Sequence, residues 1–450
     1  MREFDVVVIG AGPAGEVVAG RLGERGLSVA IVEESLVGGD CSYYACMPSK
    51  ALLRPVELAN EVERVPGLDI GPIDTAAVLA RRDQVINNFD DSAHLPWLEE
   101  RDVALVRGRG RIAGRLQVEV EGQESLTARR AVVVATGSRA LVPDIPGLRA
   151  AKPWTSRNVT TAREVPPRLM ILGGGVVAVE MSQAWGALGS KITLVHRGER
   201  LIKREEPFAG EQVLDALREL GVDVRLGRSA TGVARDEDFA VTLDDGSVVE
   251  ADQLLVAFGR VPGTHGIGVE TLGLEAGKPL LVDDHMRVPG HDWLFAIGDV
   301  NGRALLTHMG KYQGRIAADA ILGQAVPLRS DGARSPRVIF TDPQVGAVGL
   351  TLAAAKESGL NVRHVDVETS GNAGGSFVGH GARGTSRLVI DEDRRVVVGA
   401  TITGAEVAEA LHAATIAVMA EVSLDDLWHA VPAFPTRSEL WLRLLEGYGL

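Results

Sequence analysis

The sequence predicts an α/β protein with two Rossmann-like dinucleotide-binding domains, followed by an α+β segment. Three observations carry this. A strand, glycine turn, helix, strand and terminal acid follow one another from residue 4. A second glycine turn of the same kind begins after residue 172, and the pattern changes to antiparallel strands and a helix after residue 336. Composition agrees, because 45% of the 450 residues are apolar, only 4% are aromatic and 53 are glycine. Such glycines serve turns and close backbone contacts. The length implies two to four domains with ample core. A net charge of −13 with no basic run argues against nucleic-acid binding. No apolar run reaches the length of a membrane-spanning helix, the N-terminus enters a strand at once, and two cysteines are no disulfide scaffold. The expectation is a cytoplasmic protein without stable membrane insertion.

Phe4 to Ile9 reads as an apolar strand, and Gly10-Ala11-Gly12-Pro13-Ala14-Gly15 as the turn into a helix. These glycines permit a tight turn and let a pyrophosphate approach the helix N-terminus. The second strand, Ser28 to Val32, ends in Glu33, an acid placed to hold a ribose hydroxyl. Next comes Gly38 to Lys50, with Cys41 and Cys46, the only cysteines in the chain. The spacing admits two readings. One is a strained first helical turn whose free N–H groups and dipole favour a thiolate. The other is two buried small hydrophobes. Neither the CxxC spacing nor a zinc spacing is present, and no metal site is expected.

These residues resemble the flavin-dependent pyridine nucleotide–disulfide oxidoreductases, the family of glutathione reductase, dihydrolipoyl dehydrogenase and mercuric reductase. Gly38, Gly39, Cys41, Cys46, Pro48, Ser49 and Lys50 match its redox segment, while Tyr43-Tyr44-Ala45 replaces the usual Asn-x-Gly. The resemblance implies that the first unit holds FAD, with Gly10, Gly12, Pro13, Ala14, Gly15 and Gly39 at the cofactor and Glu33 on the adenosine ribose. It implies further that Cys46 is the flavin-proximal thiol and Cys41 the thiol that exchanges with substrate. Lys50 would stabilise charge near the flavin, paired with Glu180.

From Ala51 to about Glu100 the pattern is helical and charged, with His94 read as a surface or linker histidine. Val103 to Val120 reads as short strands, Arg107, Arg109 and Arg111 marking a solvated face. Ala131 to Ala135 is a buried strand leading to Thr136-Gly137-Ser138, similar to the family's ATG segment at the crossing between domains. Met170 to Leu172 leads into the second turn, with Gly173, Gly175 and Ala178 as its fingerprint, and Lys191 to Val195 is the next strand. Two dinucleotide units and one cysteine pair imply an electron relay. Gly221 to Gly227 and Val241 to Gly246 read as a small hairpin, and the stretch through Gly259 resembles the family's return to the FAD domain. Trp293 to Val300 is a strand ending in Gly298-Asp299; by resemblance Asp299 holds the flavin ribityl hydroxyls, and Thr307-His308 lies near the ring system through backbone contact.

The segment from Val338 to Gly346 resembles the opening of the family's dimerisation domain, with strands at Leu388 to Ile390 and Val396 to Thr401 and a helix over Ala405 to Ala420. The implied organisation is 1–150 and 271–334 for FAD, 151–270 for NAD(P)H, and 335–450 for homodimerisation. The departure is near the C-terminus. The family's base is the histidine of His-Pro-Thr-x-x-Glu, and this chain has Phe434-Pro435-Thr436-Arg437-Ser438-Glu439. Phenylalanine moves no proton, although Glu439 is retained and His429 lies five residues upstream.

Three functions follow from these residues. The first is an FAD-dependent NAD(P)H oxidoreductase passing electrons through Cys41–Cys46 to a small-molecule disulfide or dithiol acceptor. The second is a diaphorase reducing a quinone, metal ion or other electron acceptor. The third is a non-catalytic flavin-binding protein, against which the retained Cys41, Cys46, Lys50 and Glu180 argue. NADPH is the expected coenzyme, with NADH the alternative. No acid ends the second strand, and Arg197 and Lys203 fall where relatives clamp a 2′-phosphate; a solvated run interleaved with Glu199, Glu205 and Glu206 is the competing reading.

Overall fold

Parallel strands organise the first of two units, Met1–Pro48 with Arg82–Leu141 and Gly259–Gly332. The computed structural model describes residues 2–324 and 326–450. Strands Val103–Arg107, Val29–Glu33, Arg2–Ile9, Leu126–Val134 and Leu294–Ala296 lie parallel in that spatial order. Residues 6–9, 29–32 and 131–134 are buried throughout, which is why they read as unbroken apolar runs rather than alternating ones. Leu126–Val134 pairs twice on one side: its first half with the antiparallel strand Gln117–Val120, its last three residues with Leu294–Ala296. Helix Pro13–Gly23 packs against helix Thr307–Ile321 through small residues. A Cβ on Gly314 would lie 2.9 Å from the Ala14 carbonyl oxygen, so only glycine permits this approach.

The expected helical stretch after the cysteines includes Cys46–Arg64, Thr75–Val85 and the short Leu95–Glu99. In the first unit it is interrupted by a left-handed turn at Asn87, Asn88 and Phe89, with φ of 51°, 50° and 62°. Left-handed geometry costs about 1–2 kcal/mol per non-glycine residue. This turn carries the Phe89 ring to 5.7 Å from that of Tyr44.

The second unit comprises Ser49–Arg81, Val142–Phe258 and Ala333–Leu450. Its parallel sheet runs Asp223–Leu226, Lys191–His196, Arg168–Leu172, Gln253–Val256. Asp223–Leu226 therefore extends that sheet instead of entering a hairpin. The antiparallel layer is Ala230–Arg235, Phe239–Leu243 and Val248–Ala251. A five-stranded antiparallel sheet follows, from Arg337–Ile339 and Gln344–Gly349 through Val396–Gly404 and Thr385–Asp391 to Val362–Glu368. The helix expected from Ala405 begins only at Leu411. Gly404 and Glu406 have φ of 144° and 50°, and a right-handed helix cannot pass through either. Among the described residues no helix is long and apolar enough to cross a membrane.

Candidate active site

The first glycine turn is built by backbone contact. Gly10 has φ of 103°, and a Cβ there would lie 2.4 Å from the Ala135 oxygen; one on Gly15 would lie 2.0 Å from the Gly10 oxygen. Gly12 differs, since its Cβ would meet nothing within 4 Å. It precedes helix Pro13–Gly23, whose first turn has no side-chain cap, so the open face at Gly12 lies at an uncapped helix N-terminus. Gly39, with φ of 60°, closes over the turn: its Cβ would be 2.8 Å from Gly12 Cα.

Glu33 is buried and accepts the Ala11 and Ser35 N–H groups at 2.7 and 2.8 Å. Burial pushes its carboxyl up and the two backbone bonds pull it back. Each oxygen takes one of these bonds and keeps further acceptor capacity. Asp299 lies in the short 3₁₀ turn Gly298–Asn301, where Ser138 Oγ donates to it at 2.5 Å and Arg260 Nε stands 3.7 Å away. Burial raises its carboxyl, opposed by Ser138 and Arg260. Thr136 Oγ1 donates to the Gly263 oxygen, and the Gly263 N–H donates to the Gly137 oxygen. The Leu141 N–H donates to the Gly259 oxygen. Those three expected cofactor residues thus clasp the crossing strands Ser138–Ala140 and Arg260–Pro262.

The cysteine pair straddles two helices instead of occupying one first turn. Cys41 belongs to Gly39–Tyr43, and Cys46 is the first residue of Cys46–Arg64. Both are half-buried. The Cys46 sulfur lies 3.3 Å from Thr307 Oγ1, and Thr307 opens helix Thr307–Ile321. Thr307 meets the pair through its hydroxyl, and His308, next along, is exposed. The hydrogen bond to Cys46, then burial, pushes the Cys41 thiol well up, while Thr307 and Lys311 pull it down. Cys46 is the sulfur that stands at the first residue of one helix and beside the first residue of another.

Lys50, one turn beyond Cys46 on the same helix, donates to Glu180 Oε2 at 2.8 Å and lies 4.7 Å from the centre of the Phe340 ring. The other oxygen of the buried Glu180 accepts the Phe340 N–H at 3.0 Å. At the second glycine turn, Gly173 has φ of 141° against the Ala257 oxygen, Gly175 is open and Ala178 is fully buried. The His196 ring packs on Gly174, and burial, then the charges of Arg197 and Lys203, push its pKa down. Arg197 and Lys203 are exposed.

At the C-terminus Phe434 is 77% exposed and His429 ends helix Leu424–His429 on the surface. Glu439 accepts the Gly374 N–H at 3.1 Å, a backbone partner in place of an imidazole.

His94 is a correction. It is not a bare surface residue: Nδ1 lies 2.7 Å from Glu16 Oε1, its ring sits 6.2 Å from Tyr43, and a Cβ on Gly38 would come within 2.9 Å of Nε2. No local signal marks this partner 78 residues away. The bond to Glu16 raises the His94 pKa above 6.5. Its contribution to stability is thus complete below about pH 6.5 and is lost as pH rises through the higher folded value. His94→Gln should lower the melting temperature more at pH 6 than at pH 9, and equal losses would show that the ion pair contributes nothing.

A family model of the pyridine nucleotide-disulphide oxidoreductases matches residues 4–314, and one of that family's dimerisation domain matches residues 335–444. The chain belongs to this family. Mercuric reductase of Staphylococcus aureus is 30% identical over 97% of this chain and 81% of its own length. Dihydrolipoyl dehydrogenase of Haloferax volcanii is 32% identical over 98% and 96%, and glutathione reductase of Burkholderia cepacia 31% over 98% of each. Among solved structures, the HOCl-induced flavoprotein disulfide reductase RclA from Escherichia coli has a TM-score of 0.88 at 24% identity, covering 98% of this chain and 99% of its own. As a member of the pyridine nucleotide-disulphide oxidoreductases the protein uses FAD and NAD(P)H and dimerises through its C-terminal domain.

Proposed function

We propose that the protein is an NADPH-dependent reductase that passes electrons through FAD and the Cys41/Cys46 pair to a small-molecule disulfide. The observation that carries this reading is the half-buried cysteine pair whose Cys46 sulfur joins the first residues of two helices. The open face of Gly12 and the uncapped N–H groups beside it fit a pyrophosphate, the acceptor capacity left on Glu33 fits a ribose diol, and Asp299 fits a polyol chain. Bound FAD supplies two-electron transfer between the nicotinamide and the cysteine pair. Lys50, fixed by Glu180, adds a positive charge one turn from Cys46.

In the reduced pair, a proton moving from Cys41 across its hydrogen bond to Cys46 leaves the Cys41 thiolate. That thiolate attacks the substrate disulfide, forming a mixed disulfide and expelling one thiolate; Cys46 then closes on Cys41 and expels the second. With one proton and one thiolate in the reduced pair, that proton leaves on one product thiol and the second product thiolate takes its proton from solvent. A base at position 434 would govern rate, not balance.

A specific observation favours the diaphorase as second reading. Phe434 moves no proton and Glu439 is bound to Gly374 N–H, which suits a quinone or metal-ion acceptor that needs no thiol protonation.

The coenzyme reading gains from two of the three acids that interrupt the basic run, Glu199 being exposed. Glu205 and Glu206 turn inward onto Arg337 and Arg387, which leaves Arg197, Lys203 and Arg204 outward. The test is an acceptor screen under NADPH and NADH, run with wild type and Arg197→Ala. Disulfide turnover preferring NADPH is expected, and truncation of Arg197 should remove about 1–3 kcal/mol, roughly 5- to 150-fold in the NADPH:NADH ratio of kcat/KM. A wild type that prefers NADH defeats the coenzyme reading, and turnover of quinones but no disulfide selects the diaphorase.

A further inference from the structure

The loop 197–206 carries Arg197 and Lys203, and its conformation is unusual. Ile202 is buried yet has φ of 40°, a genuine outlier for a β-branched side chain. Its N–H donates to the Gly174 oxygen at 2.8 Å, and its own carbonyl accepts the Glu205 N–H at 2.9 Å. The strained residue thus ties the loop to the second glycine turn, immediately before Lys203. Strain of this kind persists only where surrounding contacts over-determine it.

Ile202 packs in the core of the unit, and the two acids that follow it anchor the end of the loop. Glu205 is 7% exposed, and both its oxygens accept from Arg337 Nε, at 2.7 and 3.0 Å. Glu206 is 2% exposed; it accepts the Leu352 N–H at 2.6 Å and Arg387 Nη1 at 2.9 Å. Arg387 is itself gripped by Asp366 through two bonds of 2.7 and 2.6 Å. Glu206 also stands at the N-cap of helix Pro207–Glu219 without capping it, so its carboxylate is committed wholly to these partners.

We infer that Glu205 and Glu206 are positioning residues for coenzyme selection: their buried pairs with Arg337 and Arg387 hold Ile202 in its left-handed conformation and so set Lys203 and Arg197 for a 2′-phosphate. The inference rests on the NADPH reading above, and it predicts a sign opposite to simple electrostatics. Neutralising an acid near an anionic ligand should tighten binding if charge alone matters. Neutralising these acids should weaken it, because the clamp loses its geometry.

The test is calorimetric binding of 2′,5′-ADP and 5′-AMP to the purified holoenzyme dimer, for wild type, Glu205→Gln and Arg337→Lys. Arg337→Lys keeps the charge, removes the guanidinium fork from outside the loop, and serves if Glu205→Gln does not fold. The expected result is wild-type preference for 2′,5′-ADP, reduced at least about fivefold in both variants with 5′-AMP affinity within about twofold. Unchanged or tighter 2′,5′-ADP binding overturns the inference, as does an equal loss for both ligands, which would mark general damage to the domain. A wild type without preference for the 2′-phosphate shows instead that the NADPH reading has failed, and the inference with it.

Discussion

Cys41→Ser is expected to lower turnover of a disulfide acceptor by roughly three orders of magnitude or more, the scale lost when an enzyme's nucleophile is removed. Serine cannot close a disulfide, and its hydroxyl is a far weaker nucleophile than a thiolate at neutral pH. The loss should be confined to the thiol stage. Rapid-mixing absorbance should still show NADPH bleaching the flavin at a rate near that of wild type, because the hydride step does not use the interchange thiol. Cys46→Ser should be as damaging to disulfide turnover, since Cys41 then has no partner to release it from the mixed disulfide. A Cys41→Ser protein keeping more than about a tenth of wild-type disulfide turnover would remove the pair from the relay.

Gly15→Ala should destabilise the protein and strip its flavin together. The added Cβ would lie 2.0 Å from the Gly10 oxygen, and Gly10 cannot yield because it is wedged against Ala135 at φ of 103°. Forced overpacking of this kind costs about 1–3 kcal/mol, more where backbone meets backbone. Each 1.4 kcal/mol transmitted to the cofactor-binding turn weakens flavin retention about tenfold. Gly12→Ala supplies the contrast. Its Cβ would meet nothing and its φ of −73° suits alanine, so apoprotein stability should stay near wild type while flavin content falls. Melting temperatures of the stripped proteins, set beside flavin-to-protein absorbance ratios, separate the two effects. Wild-type flavin content in Gly12→Ala would show that the open face holds no pyrophosphate.

Much of this was legible in the sequence because it is written at short range. The strand before Gly10, the glycine spacing and the acid at Glu33 occupy one stretch of some 30 residues, where periodicity and turn chemistry act locally. The same holds at Gly173 to Ala178 and at Gly298-Asp299. What could not be read involves partners far apart in the chain. His94 and Glu16 are 78 positions apart, Glu205 and Arg337 132, and Glu206 and Arg387 181. Nothing in the local pattern of Glu205-Glu206 separates an inward acid from a solvated one. The left-handed turn at Asn87 to Phe89 and the late start of helix Leu411–Met419 are backbone choices imposed by packing against propensity, and the division of the cysteines between two helices is of that kind.

The double pairing of Leu126–Val134 sets a timetable for synthesis on the ribosome. Val132, Val133 and Val134 await Leu294, Phe295 and Ala296, which emerge about 160 residues later. At ~5–20 residues per second this is an interval of roughly 10–30 s during which a fully apolar strand edge has no neighbour. The parallel sheet built from residues 168–256 is made entirely within that interval and has all four of its strands before the first sheet receives its last. The nascent chain thus completes a later sheet before an earlier one, and the interval between them is when chaperone cover matters most.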